Sequence, residues 1–189
     1  MKGPERTGHG GGDVPTNTAL LVAPLDFICA DHQRERQVCA MIDAMAAAAV
    51  LDRQGAMRVL RFLNEELNVH LRDEVEDLFP LLSQRCTDED SIDRAISRIE
   101  TDQRAAIRLL PDVRRAIAGC LDAGTELSVD DRAILSVFAG QLRRVLVAEN
   151  AILLPIARAR LTRSDLALLS AHMRARRGLS PDPEMPDAD

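Results

Sequence analysis

His70-Leu71-Arg72-Asp73-Glu74-Val75-Glu76-Asp77-Leu78-Phe79-Pro80 is the stretch whose reading decides the fold. It sets an imidazole and a carboxylate four residues apart, with a proline six residues beyond the carboxylate. On an α-helix, residues i and i+4 share a face about one turn apart. His70 and Glu74 are therefore spaced to hold one cation between them. The stretch recurs in weaker form as Val145-Leu146-Val147-Ala148-Glu149-Asn150-Ala151-Ile152-Leu153-Leu154-Pro155. There the glutamate and proline remain, and valine stands where the histidine was.

Outward from this stretch the chain reads as helices. Asp52 is placed to cap a helix reaching about Arg85, with Met57, Leu60, Leu63, Leu67, His70, Leu71, Glu74 and Leu78 on its apolar stripe. His70 and Glu74 fall on or beside that stripe, where an unpartnered charge is costly. Asp73, Glu76 and Asp77 go to the wetter side. Upstream, Pro24-Leu25-Asp26 opens a helix running through Phe27, Ile28, His32, Cys39, Ile42 and Met45 to about Ala49. Downstream, Asp88 opens a third, carrying Ile92, Ile96, Ile99, Gln103, Ile107 and Leu110, with Pro111 inside it and its end near Gly124. Ser128 caps a fourth, which passes Val137, Leu142, Val145, Glu149 and Leu153 to about Leu161. Thr162 to Asp165 begin a short fifth, ending at Gly178. Residues 1–18 read as a disordered leader and 179–189 as a disordered acidic tail. Four long amphipathic helices with short loops predict an all-α, up-down-up-down four-helix bundle within 19–178, plus a short C-terminal helix.

Composition agrees and removes several function classes. A chain of 189 residues fits one domain. Hydrophobic residues make up 46%, yet the only aromatics are four phenylalanines, which favours helices over strands. No apolar run reaches the ~18 residues that span a bilayer, and the polar, Gly-rich start lacks the regions of a secretory signal. A net charge of −6 argues against non-specific nucleic-acid binding. Cys29, Cys39, Cys86 and Cys120 have no CxxC or zinc-finger spacing, so reduced thiols in a cytoplasm are the simplest reading. Cys29, one turn before His32, and Cys39 read as small buried hydrophobes, and Met41, Met45 and Met57 as core filler. Arg158, Arg160, Arg163, Arg174, Arg176 and Arg177 read as a solvated basic face, His172 as a surface residue and His9 as idle. Gly-rich phosphate loops and nucleophile–base motifs are missing, which leans away from an enzyme.

Aligned by their prolines, the two copies differ by 75 residues (155 − 80), matching Glu74 with Glu149 and His70 with Val145. Asp31-His32 matches Asp102-Gln103 at an offset of 71 (103 − 32). The chain is thus two helical hairpins of common pattern. A histidine followed downstream by His-x-x-x-Glu, stated twice, is the pattern that this chain resembles: that of the hemerythrin-like HHE cation-binding domains. The resemblance covers roughly residues 22–162, through Asp31-His32, His70-x-x-x-Glu74 with Leu78-Phe79-Pro80, and Glu149-Asn150 with Leu153-Leu154-Pro155.

That resemblance implies a four-helix bundle around non-haem iron, two metals in the full pattern, with roles in O₂ binding, oxygen or redox sensing, iron handling and iron-centre repair. Carried over by position, it implies His32, His70, Glu74 and Glu149 as metal ligands. The histidines of the partner iron would stand at Gln103 and Val145, and both are replaced. What remains is a mononuclear set of two nitrogens and two carboxylates, suited to iron first and to manganese or zinc as well. Its ligand charge of −2 would balance a divalent cation. Reversible O₂ carriage draws electrons from two irons, so a sensor or metal-handling protein responding to O₂, nitric oxide or peroxide is the leading expectation. A metal-free bundle that docks a protein partner through its basic fifth helix is the rival.

Overall fold

The computed structural model describes residues 14–48 and 50–180. Among the described residues there are five main helices and no strand. Helix α1 is Pro24–Ala47. Helix α2 spans 53–85, with α-helical segments Arg53–Arg61, Leu67–Asp73 and Phe79–Arg85 joined through π-helical turns Phe62–Glu66 and Glu74–Leu78. Helix α3 is Ile92–Ala123 and runs on through Pro111. Helix α4 spans 129–160, with a π-helical turn Glu149–Leu153 between Val129–Ala148 and Leu154–Arg160. Helix α5 is Arg163–Arg176, and short 3₁₀ turns occupy Thr18–Val22 and Asp88–Asp90. No helix among the described residues is long and apolar enough to cross a membrane.

The caps follow the side chains. Asp52 accepts from the Gln54 and Gly55 amides, Ser128 accepts from the Asp131 amide, and Thr162 and Asp165 form a reciprocal capping box. Gly124 closes α3 at φ 64°, a conformation that favours glycine. Asp88 does not open α3, because Ser91 breaks the run in the left-handed region at φ 50°. The first helix stops at Ala47, and Ala49 lies outside the described residues.

Two apolar clusters form the core. One gathers Val38, Ile42, Leu63, Leu67, Val113, Phe138 and Leu142; the other gathers Leu25, Ile28, Leu78, Leu82, Ile99, Leu153 and Leu154. On each of the four long helices buried polar residues interrupt the apolar line between them: Asp31, His32 and Glu35 on α1, His70, Asp73, Glu74 and Asp77 on α2, Gln103 on α3 and Glu149 on α4. The protein thus surrounds one polar layer with two hydrophobic ones.

Three assignments made from helical periodicity are corrected. Met57 is 56% exposed, because the buried line of α2 passes through Ala56, Val59 and Leu63 and a neighbouring residue is turned by about 100°. Val137 likewise faces outward. Asp73 and Asp77 are buried rather than wet, because α5 folds back over them. Arg176 and Arg177 donate to Asp73 at 2.9 and 2.7 Å, and the Arg177 guanidinium lies over the Phe27 ring at 4.7 Å. Arg158 pairs with Asp26 and Arg160 with Asp90. Arg176 and Arg177 are therefore drawn into the protein, while Arg158 and Arg160 pair at its surface.

Residues 1–13 and 181–189, most of the expected leader and tail, lie outside the described residues. From Val14 the chain is tied down. The Val14 carbonyl accepts from Arg34, and the Thr16 hydroxyl donates to Asp31 Oδ1 at 2.5 Å.

Candidate metal centre

The four residues expected as ligands come together. His32 from α1, His70 and Glu74 from α2 and Glu149 from α4 are all buried, and each offers a ligand atom within 4.8 Å of the other three. His32 Nε2 is 3.3 Å from Glu74 Oε1 and 3.5 Å from Glu149 Oε2, and His70 Nε2 is 3.7 Å from Glu74 Oε1. The two imidazoles meet edge to face, with centroids 5.1 Å apart.

Local backbone aims these groups. Both glutamates begin a π-helical turn, Glu74–Leu78 and Glu149–Leu153, in which the amides of Phe79 and Leu154 reach back to the Glu74 and Glu149 carbonyls. A proline follows each turn, Pro80 and Pro155. Proline lacks the amide that would continue the helical ladder, and its ring crowds the carbonyl four residues back. A widened turn accommodates both, and such turns gather at functional sites.

Neighbours then fix the rings. His70 Nδ1 lies 3.0 Å from Asp31 Oδ2, an ionic contact that leaves Nε2 facing the carboxylates. The Asn150 amide nitrogen donates to the Leu146 carbonyl and lies 2.9 Å from His32 Nδ1, so His32 also presents Nε2 inward. Gln103 directs its amide nitrogen at the cluster, donating to Glu74 Oε2 at 2.8 Å and Glu149 Oε1 at 3.0 Å. It takes the histidine's place in the pattern as a hydrogen-bond donor, not as an oxygen ligand. Val145 is in the apolar core.

The electrostatics are those of a carboxylate-rich interior. Burial, then the Glu74 charge, pushes Glu149 up to about 8, and burial raises Glu74 despite His70 and Gln103. Burial, then repulsion from His70, pulls His32 down to about 4. For His70 burial acts downward, but Glu74, Asp31 and Glu35 outweigh it and hold the ring well above its ordinary value. Such opposed displacements among touching groups mark a functional site more often than a structural core.

A cation fits here. Glu149 Oε2 is buried with no hydrogen-bond partner, and the four groups present two imidazole nitrogens and two carboxylates toward one small volume. An acceptor left in that condition is costly unless something positive reaches it. Beside the cluster, between α2 and α3, lies an open groove of about 880 Å³ lined by Leu71, Val75, Ile107 and Arg104 and reaching Gln103.

Sequence reasoning missed Glu35 and gave no role to Asn150. Glu35 is 3% exposed and its Oε2 is 3.8 Å from His70 Nε2. The available signal was its spacing, one turn after His32 in a stripe otherwise filled by Ile28, Val38, Cys39 and Ile42. Cys29 and Cys39 are free thiols, and burial pushes Cys39 up to about 12, which suits packing rather than ligation. His172 sits half exposed with Nδ1 2.6 Å from Asp77.

An all-helical protein with a buried two-histidine, two-glutamate cluster has the layout on which helical proteins build metal sites, from side chains that project inward from facing helices. The family profile of the hemerythrin HHE cation binding domain matches residues 23–157, and the chain is a member of that family. Among curated proteins, none matches it.

Proposed function

We propose that this protein holds one non-haem metal ion, iron in the first instance, through His32, His70, Glu74 and Glu149, and acts in oxygen or redox sensing or in iron handling. The observation that carries the reading is the convergence of those four buried donors from three helices, with Glu149 Oε2 accepting no hydrogen bond. Manganese and zinc suit the same donors. A bound ion would supply a Lewis-acid and redox centre with room for a small ligand. Of the chain's own groups, Asp31 and Asn150 orient the two rings, and Gln103 holds the two carboxylates together. The groove that reaches Gln103 is the route we assign to O₂, nitric oxide or peroxide.

We take the four long helices as an up-down-up-down bundle spanning, with α5, residues 19–178. In support, α1 and α3 pass from the cluster around Ile28 and Ile99 to the cluster around Ile42 and Val113, and α2 and α4 pass back. We place the protein in the cytoplasm on the spacing of its cysteines, and we read it as a binding protein without nucleic-acid partners. Docking through a basic fifth helix loses support, since Arg176 and Arg177 are spent on Asp73.

The test is metal content after purification without chelators, in the wild-type protein and in His70→Ala. Stoichiometric metal in the first and its loss in the second is the expected result. No metal in either sinks the proposal.

A further inference from the structure

We infer that Glu35 is a further ligand to the ion, so that the centre has three carboxylates and draws most of its donors from α1 and α2. This rests on the metal site proposed above and extends it to a residue outside the four.

Glu35 lies on α1 three residues after His32, where an α-helix brings its side chain back to the same face. It is buried, and its Oε2 stands 3.8 Å from His70 Nε2. Glu74 Oε1 stands 3.7 Å from the same nitrogen. His70 Nδ1 faces Asp31 Oδ2 at 3.0 Å, on the other side of the ring. Two carboxylates therefore face one ring nitrogen, and a single N–H can serve only one of them. A cation between them would serve both carboxylates and the nitrogen together. Donors bound to one ion at roughly 2.0–2.2 Å sit about 3 to 3.5 Å apart. The His70–Glu35 and His70–Glu74 separations thus need to close by only a few tenths of an ångström.

The ion pair of Glu35 is with His70, and the like charges of Glu149, Glu74 and Asp31 press on its buried carboxylate. A buried carboxylate crowded by other carboxylates is among the costlier residues to keep unless a cation reaches it. Three carboxylates carry a charge of −3 against the −2 of the four-residue set. The centre is thereby biased toward a trivalent ion such as Fe(III), relative to a set of two histidines and two glutamates.

The experiment uses the full chain and Co(II) as the probe. Affinity is read by chelator competition and coordination number by the visible absorption of the bound ion. Wild type, Glu35→Gln, Glu35→Asp and His70→Ala are compared. With Glu35 as a ligand, Glu35→Gln binds Co(II) more than ~100-fold more weakly, beyond the range for losing an outer partner. Its absorption band strengthens as the coordination number falls, while the metal-free variant melts no lower than wild type. Glu35→Asp keeps the charge but withdraws the oxygen by one methylene. It weakens binding in the same direction and serves if Glu35→Gln does not fold. Unchanged affinity and spectrum in either folded variant overturn the assignment of Glu35 and leave the four-residue site standing. Failure of wild type to bind Co(II), or full binding by His70→Ala, overturns the four-residue site and this extension together.

Discussion

The hairpin of α1 and α2 and the hairpin of α3 and α4 share a scaffold and differ in what they offer an ion. In each, a glutamate begins a π-helical turn that a proline follows. The correspondence runs further than the prolines. Arg85, Thr87 and Asp90 have counterparts 75 residues on in Arg160, Thr162 and Asp165 (160 − 85). The counterparts pair across the halves, Arg85 with Asp165 and Arg160 with Asp90, at 2.8 and 2.7 Å. Each threonine amide donates to the aspartate three residues on. Yet the first hairpin brings His32, His70 and Glu74 to the centre, and the second brings Glu149 alone of the four. The second hairpin thus has the same backbone devices with Gln103 and Val145 at the positions that match His32 and His70. Packing and caps hold the helices whether or not a histidine occupies the inner face, so donors can be lost one at a time without loss of the fold.

Restoring the second hairpin is the strongest way to break this asymmetry. Gln103→His with Val145→His is expected to raise bound metal from one ion toward two, counted by elemental analysis. The metal-free double variant should be less stable by roughly 1–3 kcal/mol for each buried imidazole without a partner. It also loses the Gln103 hydrogen bonds to Glu74 and Glu149. Stoichiometry fixed at one in a folded variant would mean that the second half has drifted out of ligand geometry, not only out of ligand type.

A finer probe uses the matched pair Asp31 and Asp102. Asp31 contacts the unligated side of His70, and partners of that kind are worth about 10–100-fold in metal affinity. Asp31→Asn should weaken binding by that factor in a competition assay. Asp102 precedes a glutamine that offers no ring to orient, so Asp102→Asn should leave affinity unchanged. Equal effects would contradict the division between the halves.

How much of this was legible beforehand depends on which forces each residue answers to. Caps at Asp52, Ser128 and Thr162 are local, and they stand where the sequence places them. The convergence of His32, His70, Glu74 and Glu149 was legible through the family pattern, since spacing on one helix cannot bring α1, α2 and α4 together. Asp73 was misread because its partners Arg176 and Arg177 lie over a hundred residues away, and helical periodicity carries no information about a helix that folds back. The π-helical turns were hidden for a different reason. A proline announces a broken ladder, but whether the chain kinks, ends or widens depends on the packing around it. Glu35 was visible as a charge in an apolar stripe, and its spacing to His32 was the overlooked signal.

The pH dependence of stability separates the metal-free centre from the loaded one. Glu35 and Glu149 are both raised to about 8, Glu35 mainly by burial, and Glu74 and His70 are raised too. Groups raised in the folded state bind protons more tightly there than when unfolded. Their contribution is complete below the unfolded values and is lost as pH climbs toward the folded ones. His32, lowered to about 4, acts oppositely, but only below its ordinary value near 6.5. The metal-free protein should therefore lose stability from about pH 6.5 to 8 in denaturant melts. A bound cation holds the carboxylates ionised and should flatten that slope. Stability that rises over the same interval without metal would remove the electrostatic account of the centre.

The smallest effects belong to the crossed arginine–aspartate pairs, where both halves contribute alike. Arg85 and Arg160 are 40% and 44% exposed in their side chains, so solvent screens each pair and each contributes little. Arg85, with Thr162 beside it, draws Asp165 down to about 2, and Arg160 with Thr87 lowers Asp90. Lowered carboxylates stabilise above their unfolded value near 3.8 and lose that contribution as pH falls through the folded one. Arg85→Ala should thus melt slightly lower at pH 7 and show a shallower loss of stability between pH 4 and 2. Arg160→Ala should do the same to a lesser degree. Neither should change metal content, because the pairs join the ends of the hairpins and touch no group of the centre. Loss of metal in Arg85→Ala would mean that the alignment of the two hairpins, and not the donor side chains alone, sets the geometry at which His32 and Glu149 meet.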